Sequence, residues 1–259
     1  MRARLVIDAR GPDPDAYTGQ CGFQKFVGLE LETQAPHGLS NPILMDARCT
    51  QTDGFRFFYV LPLAPARLLV EETRFSLTPA LDRDAARAAV QAYAVRFGTV
   101  TRVVREEIGI LPMPWSMPSA AHPEHVALLA GYRGGYFHPA TGYSLPAAVR
   151  VAEAIGQSLR EACKQGELLG TSWERFLKQH HSQSRYALQL NRLLFTGFAE
   201  TDMWGVLSRF YGLPEPLIER FYALSSSVAD RARILLGRPP RGFSLRRALS
   251  ARALPVGAA

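Results

Sequence analysis

The feature that constrains this sequence most is a pair of strand-length stretches, residues 55–63 and 67–75, separated only by Ala64-Pro65-Ala66. Aromatic and aliphatic side chains dominate the first, Leu68-Leu69-Val70 lies in the second, and so short a connection joins strands as an antiparallel hairpin. On the first stretch Phe55, Phe57 and Tyr59 fall on one face of the pleat. On the second, Leu69, Glu71 and Thr73 share one face while Leu68, Val70 and Glu72 share the other. Further strand-like runs bounded by Gly, Pro, Asn or Asp lie at residues 23–33 and 42–47, and residues 100–111 and 125–130 return to strand. Leu5-Val6-Ile7 is a continuous apolar run of the kind buried on both faces, and it ends in the turn Asp8-Ala9-Arg10-Gly11-Pro12.

Helical periodicity first appears at residues 82–97, with Ala86, Val90, Tyr93 and Ala94 on one side. A loop dense in glycine and aromatics, residues 131–146, precedes a helix over about 146–164 that starts with a first-turn proline. Beyond Gly170 helices dominate. There Met203, Leu207, Phe210 and Tyr211, then Leu217, Ile218, Phe221 and Tyr222, recur at helical spacing as core, or as a greasy surface for a lipid-like substrate or bilayer. The fold class is mixed α/β with an antiparallel strand-rich middle.

A 47% hydrophobic and 20% charged composition over 259 residues describes a folded chain with a sizeable core, neither a disordered tail nor a fibre. Cys21, Cys49 and Cys163 show no zinc spacing and read as free thiols in a reducing compartment. The net charge of +7 is localised: seven arginines and no acid follow Asp230, which leaves 23 basic against 23 acidic residues before them. That tail carries one aromatic, Phe243, so it reads as a solvated or membrane-surface tail rather than a nucleic-acid binder. No apolar run reaches the ~20 residues of a spanning helix, and the N-terminus lacks the pattern of a signal peptide.

Two places could carry chemistry. Glu71-Glu72 sits in an apolar strand, so either face puts one carboxylate beside apolar neighbours. There its pKa rises, and a carboxyl that stays protonated near neutrality is what a proton donor to an uncharged substrate requires. The competing reading is that both glutamates reach water at the strand's end or pair with arginines. The second place is the loop 131–144, where a strand, a glycine-rich turn and a helix start make an anion-binding geometry, or an ordinary turn. Three weaker signals remain. His122-Pro-Glu-His125 cannot be a helical metal pair, His180-His181 with Glu174 reads as a solvated helix face, and there is no GxSxG.

Residues 59–73, Tyr-Val-Leu-Pro-Leu-Ala-Pro-Ala-Arg-Leu-Leu-Val-Glu-Glu-Thr, closely resemble the flavin-dependent lycopene cyclases of carotenoid synthesis. The resemblance continues through Arg105-Glu-Glu-Ile-Gly-Ile-Leu-Pro-Met-Pro-Trp115, is strongest at residues 131–144 with Phe137-His-Pro-Ala-Thr-Gly-Tyr-Ser, and returns at residues 210–222. It implies FAD as cofactor, NAD(P)H as its reductant, and closure of β-ionone rings on lycopene without net redox change. Carried over, Glu71 is the expected acid, with Glu72 the second choice, and Phe55, Phe57 and Tyr59 are expected wall residues. Arg10 and Gly11, with Pro139, Thr141, Gly142, Tyr143 and Ser144, are the expected cofactor contacts.

The family opens with a Rossmann βαβ unit carrying GxGxxG, which this chain lacks. The expected fold is therefore an FAD-dependent oxidoreductase-like one without that unit, and a longer natural protein is expected over a true short form. Residues 1–20 and 126–165 are the expected remnant of the FAD-binding domain. Residues 21–125 are the expected strand-rich substrate domain, and 166–259 a helical region with a basic tail. The expected location is cytoplasmic, at a membrane surface. The alternatives are a related flavoprotein reductase or hydroxylase acting on prenyl chains, and a non-catalytic carotenoid- or membrane-binding fragment.

Overall fold

The computed structural model describes residues 5–11, 21–116, 127–165, 169–236 and 240–250. The chain divides into two compact units, Gly22–Leu111 with Ala199–Trp204, and Met1–Cys21 with Pro112–Phe198 and Gly205–Ala259.

The first unit is built on the hairpin. Strand β4 (Phe55–Ala64) runs antiparallel to β5 (Arg67–Ser76), with Tyr59 opposite Glu71 and Phe58 opposite Glu72. On the other side of β5 lies β2 (Cys21–Thr33), also antiparallel, with Gly28 opposite Glu71 and Val27 opposite Glu72. With β3 (Ile43–Asp46) and β6 (Val100–Pro114) at the edges, the order is β3-β4-β5-β2-β6. Helix α1 (Arg83–Ala94) starts where the Asp82 side chain accepts the Ala85 N–H at 3.0 Å, a side-chain N-cap. It buries Ala86, Val90, Tyr93 and Ala94, the face read from periodicity, among Val27, Leu29, Leu31, Phe58, Val60, Leu68 and Val70 of the sheet. Each large aliphatic or aromatic side chain so removed from water contributes roughly 1.5–3 kcal/mol. The Tyr93 ring stacks on Phe58 at 4.1 Å, and its hydroxyl donates to Asp46 Oδ2 at 2.7 Å.

In the second unit β1 (Val6–Asp8) pairs in parallel with β7 (Ala127–Leu129), and the Ala130 N–H donates to the Asp8 carbonyl at 2.7 Å. The expectation that this strand is buried on both faces is corrected. Val6 is 47% and Ile7 45% exposed, because among the described residues β7 is the sole strand partner of β1 and it is Leu128 of β7 that packs on the helical core. Helices α2 (Leu145–Gln165) and α3 (Thr171–Gly197) pack together around Tyr136, Val151, Ile155, Trp173 and Ala187. Ser158 Oγ fixes their connection by accepting the Gly170 N–H and donating to the Gly170 carbonyl.

His180, read as part of a solvated face, is instead buried, with its ring nitrogen 3.1 Å from both the Gly135 carbonyl and Ser184 Oγ. The cause is helical spacing: Trp173, His180, Ser184 and Ala187 share the buried side of α3, and His181 stays outside. Helices α4 (Met203–Tyr211), α5 (Glu215–Tyr222), α6 (Val228–Leu235) and α7 (Leu245–Ser250) follow among the described residues.

Among the described residues no helix is long and apolar enough to cross a membrane. Cys21 is buried and Cys49 half-buried, both as free thiols. The His122–His125 motif and the Cys163 side chain lie outside the described residues.

Candidate functional site

The two adjacent carboxylates of β5 meet opposite environments. Glu71 lies in the row Tyr59–Glu71–Gly28, on the face that also carries Phe55, Phe57, Thr73, Phe75 and Leu69. The rings there form a continuous wall, with Phe57 5.2 Å from both Phe55 and Tyr59 and 5.3 Å from Phe75. Phe55, Phe57, Phe75 and Thr73 are buried. The Thr73 hydroxyl donates to Glu71 Oε1 at 2.6 Å. Burial pushes the Glu71 carboxyl up to about 7, the negative charge of Glu107 adds to the rise, and the Thr73 hydrogen bond opposes it.

Glu72, one residue on, turns to the face covered by α1 and is fully buried. Its Oε1 receives the Nε–H groups of Arg56 at 2.6 Å and Arg74 at 2.7 Å. Asp53 joins this network, 2.8 Å from the buried Lys25 Nζ and hydrogen-bonded by Arg74. Two guanidiniums on one carboxylate make Glu72 part of a buried ion-paired cluster.

Sequence reasoning missed Glu107 and Gly28. A side chain at position 28 would meet Glu107 Cγ at 3.1 Å, so the bare glycine gives Glu107 room above the row that holds Glu71. The signal was present: a glycine inside a strand marks a close approach by a neighbour. Which neighbour approaches depends on the pairing of β2 with β6, and local pattern does not carry that information.

The loop between β7 and α2 closes on itself. His138 donates its N–H to the Tyr143 carbonyl at 2.8 Å, and its carbonyl accepts the N–H groups of Gly142 and Thr141. Its Nδ1 accepts the Ala140 N–H, and Thr141 Oγ1 accepts that of Tyr143. Gly142 has φ +70°, a left-handed conformation natural to glycine, and its carbonyl takes the Tyr132 hydroxyl. The His138 ring is buried against Phe221 and bonds the Phe221 backbone, and burial pushes its pKa down to about 3.

The N–H groups of Ala140, Thr141, Gly142 and Tyr143 are thus all used inside the loop. Past it, the first turn of α2 has the N–H groups of Leu145 and Ala147 without intrahelical acceptors, Pro146 having none. Ser144 precedes that turn and Pro146 lies in it. Of the expected cofactor contacts, Pro139 and Gly142 are buried, Thr141 and Ser144 half-buried and Tyr143 exposed.

Asp8 joins the end of β1 to this loop. It accepts the Arg10 N–H and side chain, and Arg133 Nη1 at 2.9 Å. The Arg10 hydrogen bonds, with Arg133, hold its carboxyl well below the usual range. Arg10 and Gly11 are exposed there. Two arginines against one aspartate leave net positive charge at the end of β1, which suits an anionic group such as a pyrophosphate.

The sequence profile described as "Lycopene cyclase protein" matches residues 1–248. The lycopene beta-cyclase of Paracoccus sp. (strain N81106 / MBIC 01143) is 43% identical over 251 residues, 93% of this chain and 62% of that protein. That of Pantoea ananas is 42% identical over 240 residues, 92% and 62% of the two chains. The chain therefore spans 62% of the length of these curated relatives. The geranylgeranyl bacteriochlorophyll reductase-like protein of Thermoplasma acidophilum shares the fold at TM-score 0.50 and 12% identity, over 90% of this chain and 59% of its own. On the profile match and these identities, the chain belongs to the lycopene cyclase protein family.

Proposed function

We propose that this chain carries the proton-donating part of a lycopene β-cyclase, with Glu71 as the acid. The observation that carries the reading is the divergence of two neighbouring glutamates. Glu71 is raised to about 7 in an aromatic wall, while Glu72 is ion-paired to Arg56 and Arg74. A carboxyl near 7 is about half protonated at neutral pH, against almost none for an ordinary glutamate, and can give that proton to a substrate that becomes basic only in the transition state.

Donation of that proton to a terminal double bond of lycopene forms a C–H bond and a tertiary carbocation. The neighbouring double bond attacks the cation and closes the six-membered ring. The cyclised cation then loses a proton from an adjacent carbon, which returns directly or through solvent to the Glu71 carboxylate and restores both neutral product and acid. Substrate and product are isomers, with no net redox change. The faces of Phe57, Tyr59 and Phe55 stabilise positive charge without offering a nucleophile, and a dry wall keeps water from trapping the cation. Thr73 orients the Glu71 carboxyl by its hydrogen bond to Oε1.

FAD, kept reduced by NAD(P)H, is the cofactor of this reading; when bound, the reduced flavin supplies electron density that favours a developing cation. The first turn of α2, Ser144 and the Arg10–Asp8–Arg133 cluster are the residues that would hold its phosphates. His138 keeps the loop 139–143 in shape from within. The substrate is membrane-soluble, and the arginine-rich tail supports association with an anionic membrane surface on the cytoplasmic side.

The test joins this chain to the part of the Paracoccus relative that it does not span, and supplies FAD, reductant and lycopene. Glu71→Gln is expected to retain flavin and fold while losing cyclic product. Ring formation at near wild-type rate by that variant would sink the assignment. Reductant consumed in proportion to product would point to a reductase or hydroxylase instead.

A further inference from the structure

The helices of the second unit enclose an apolar cavity of about 330 Å³. Leu190, Leu194, Val206, Phe210, Ile234 and Phe243 line most of it, and no residue of the sheet that carries Glu71 contributes. No acidic side chain faces it among the described residues, and its one charged group is Arg209, whose Nη2 donates to the Leu236 carbonyl at 2.8 Å. A few polar residues, Thr141 and Asn191 among them, interrupt an otherwise apolar lining, which suits a hydrocarbon. At about 30 Å³ per water-sized group it holds on the order of ten carbon centres.

Two of its lining residues, Tyr211 and Leu235, reach solvent, and Leu235 is 53% exposed. The adjoining Leu236 is 68% exposed, and Leu245 at the start of α7 is 63% exposed. Arg233, Arg241, Arg246 and Arg247 are exposed on the same stretches of chain, and no acid occurs after Asp230. Exposed leucines on a basic stretch of sequence match the acyl boundary and phosphate layer of an anionic bilayer.

The segment 240–250 folds back onto α3: the Ser244 N–H donates to the Gly197 carbonyl at 2.9 Å. A Cβ at Gly197 would meet the Phe243 ring at 3.0 Å, so the glycine makes room for the aromatic that forms part of the cavity wall. The basic tail and the cavity are therefore one construction.

We propose that this cavity is a binding site for the end of a linear hydrocarbon chain, which enters past Tyr211 and Leu235 from an anionic bilayer held by the arginines of α6 and α7. The chain is the acyl tail of a lipid or one arm of a long polyene substrate; the chemistry of the site is the same for both. Ala140 and Thr141 of the loop before α2 also line it, but Glu71 and its neighbours in the sheet do not, so probe binding is tested independently of the acid assignment.

All-trans-parinaric acid, a linear conjugated tetraene that fluoresces when dry, is the probe, titrated into the full chain. Val206→Trp fills the cavity and is expected to weaken binding at least about tenfold while the thermal melt stays cooperative. If Val206→Trp does not fold, Leu207→Phe makes the same test with less added volume. Replacement of Arg233, Arg241, Arg246 and Arg247 by Gln is expected to abolish flotation with phosphatidylglycerol-containing vesicles and leave parinaric acid binding intact. Displacement of the probe by lycopene would identify a substrate arm, and displacement only by phosphatidylglycerol a lipid tail.

Unchanged probe affinity in a folded cavity-filling variant would overturn the proposal, as would flotation indifferent to phosphatidylglycerol. Glu71→Gln should bind the probe as wild type does. Ring formation by that variant would therefore refute the acid assignment and leave the cavity proposal standing.

Discussion

The two faces of the five-stranded sheet hold the same residue type one position apart and do opposite things with it. On the α1 side Glu72 sits beneath Phe58 and Val27 in register and accepts from Arg56 and Arg74. On the other side Glu71 has Tyr59 and Gly28 as register neighbours, a hydroxyl for a partner and a second carboxylate nearby. Cations arrive on one face because Arg56, Arg74 and Lys25 share the parity of Glu72 across three strands. Rings arrive on the other because Phe55, Phe57 and Tyr59 share the parity of Glu71. Strand register, more than the residue itself, decides which carboxyl is spent on structure and which is left able to give up a proton.

The largest expected effect is on chemistry at the aromatic face. Glu71→Gln should lower ring formation by about 10²–10⁴-fold, the usual contribution of a positioned general acid, with flavin content unchanged. The same change at Glu72 tests the other face. Glu72→Ala strands two arginines in a buried cluster and should cost about 3–5 kcal/mol in a denaturant melt, while turnover per folded molecule holds. Equal loss of turnover in both variants would erase the contrast.

Titration gives the next test. With Glu71 raised to about 7, ring formation should fall as pH rises through about 7. The same shift has a stability consequence. A carboxyl raised from its ordinary 4.5 stabilises the fold fully below that value, and the contribution is lost as pH rises through about 7. Wild type should therefore lose stability relative to Glu71→Gln across that window, at up to about 1.4 kcal/mol per pH unit. Parallel stability curves for the two proteins would mean that Glu71 is solvated.

The smallest effects sharpen the picture by their opposite signs. Thr73→Val removes the hydrogen bond that holds the Glu71 pKa down, so the falling limb of the rate profile should move to higher pH. Glu107→Gln removes the charge that pushes it up, so the limb should move to lower pH. Movement in one direction for both variants would show that neither group reads Glu71 directly.

The hairpin, the α1 face of Ala86, Val90, Tyr93 and Ala94, and the split of Leu69, Glu71 and Thr73 from Leu68, Val70 and Glu72 were legible from the sequence. They follow from periods of two and 3.6 residues, which any stretch of chain carries within itself. The exposure of Val6 and Ile7 was not legible, because an apolar run states a preference and the layer that satisfies it comes from elsewhere in the chain. Burial of His180 was hidden for a similar reason, since which side of α3 faces inward depends on what packs there.

The sequence by itself determined the hairpin, the split of its side chains between two faces, the buried side of α1 and the family. Tertiary structure alone decided that Glu72 meets two arginines, that Glu107 reaches toward Glu71 over Gly28, and that the N–H groups of residues 140–143 are consumed within their own loop. The first two depend on strand register and the third on the backbone path of the loop, and residue pattern alone states none of them.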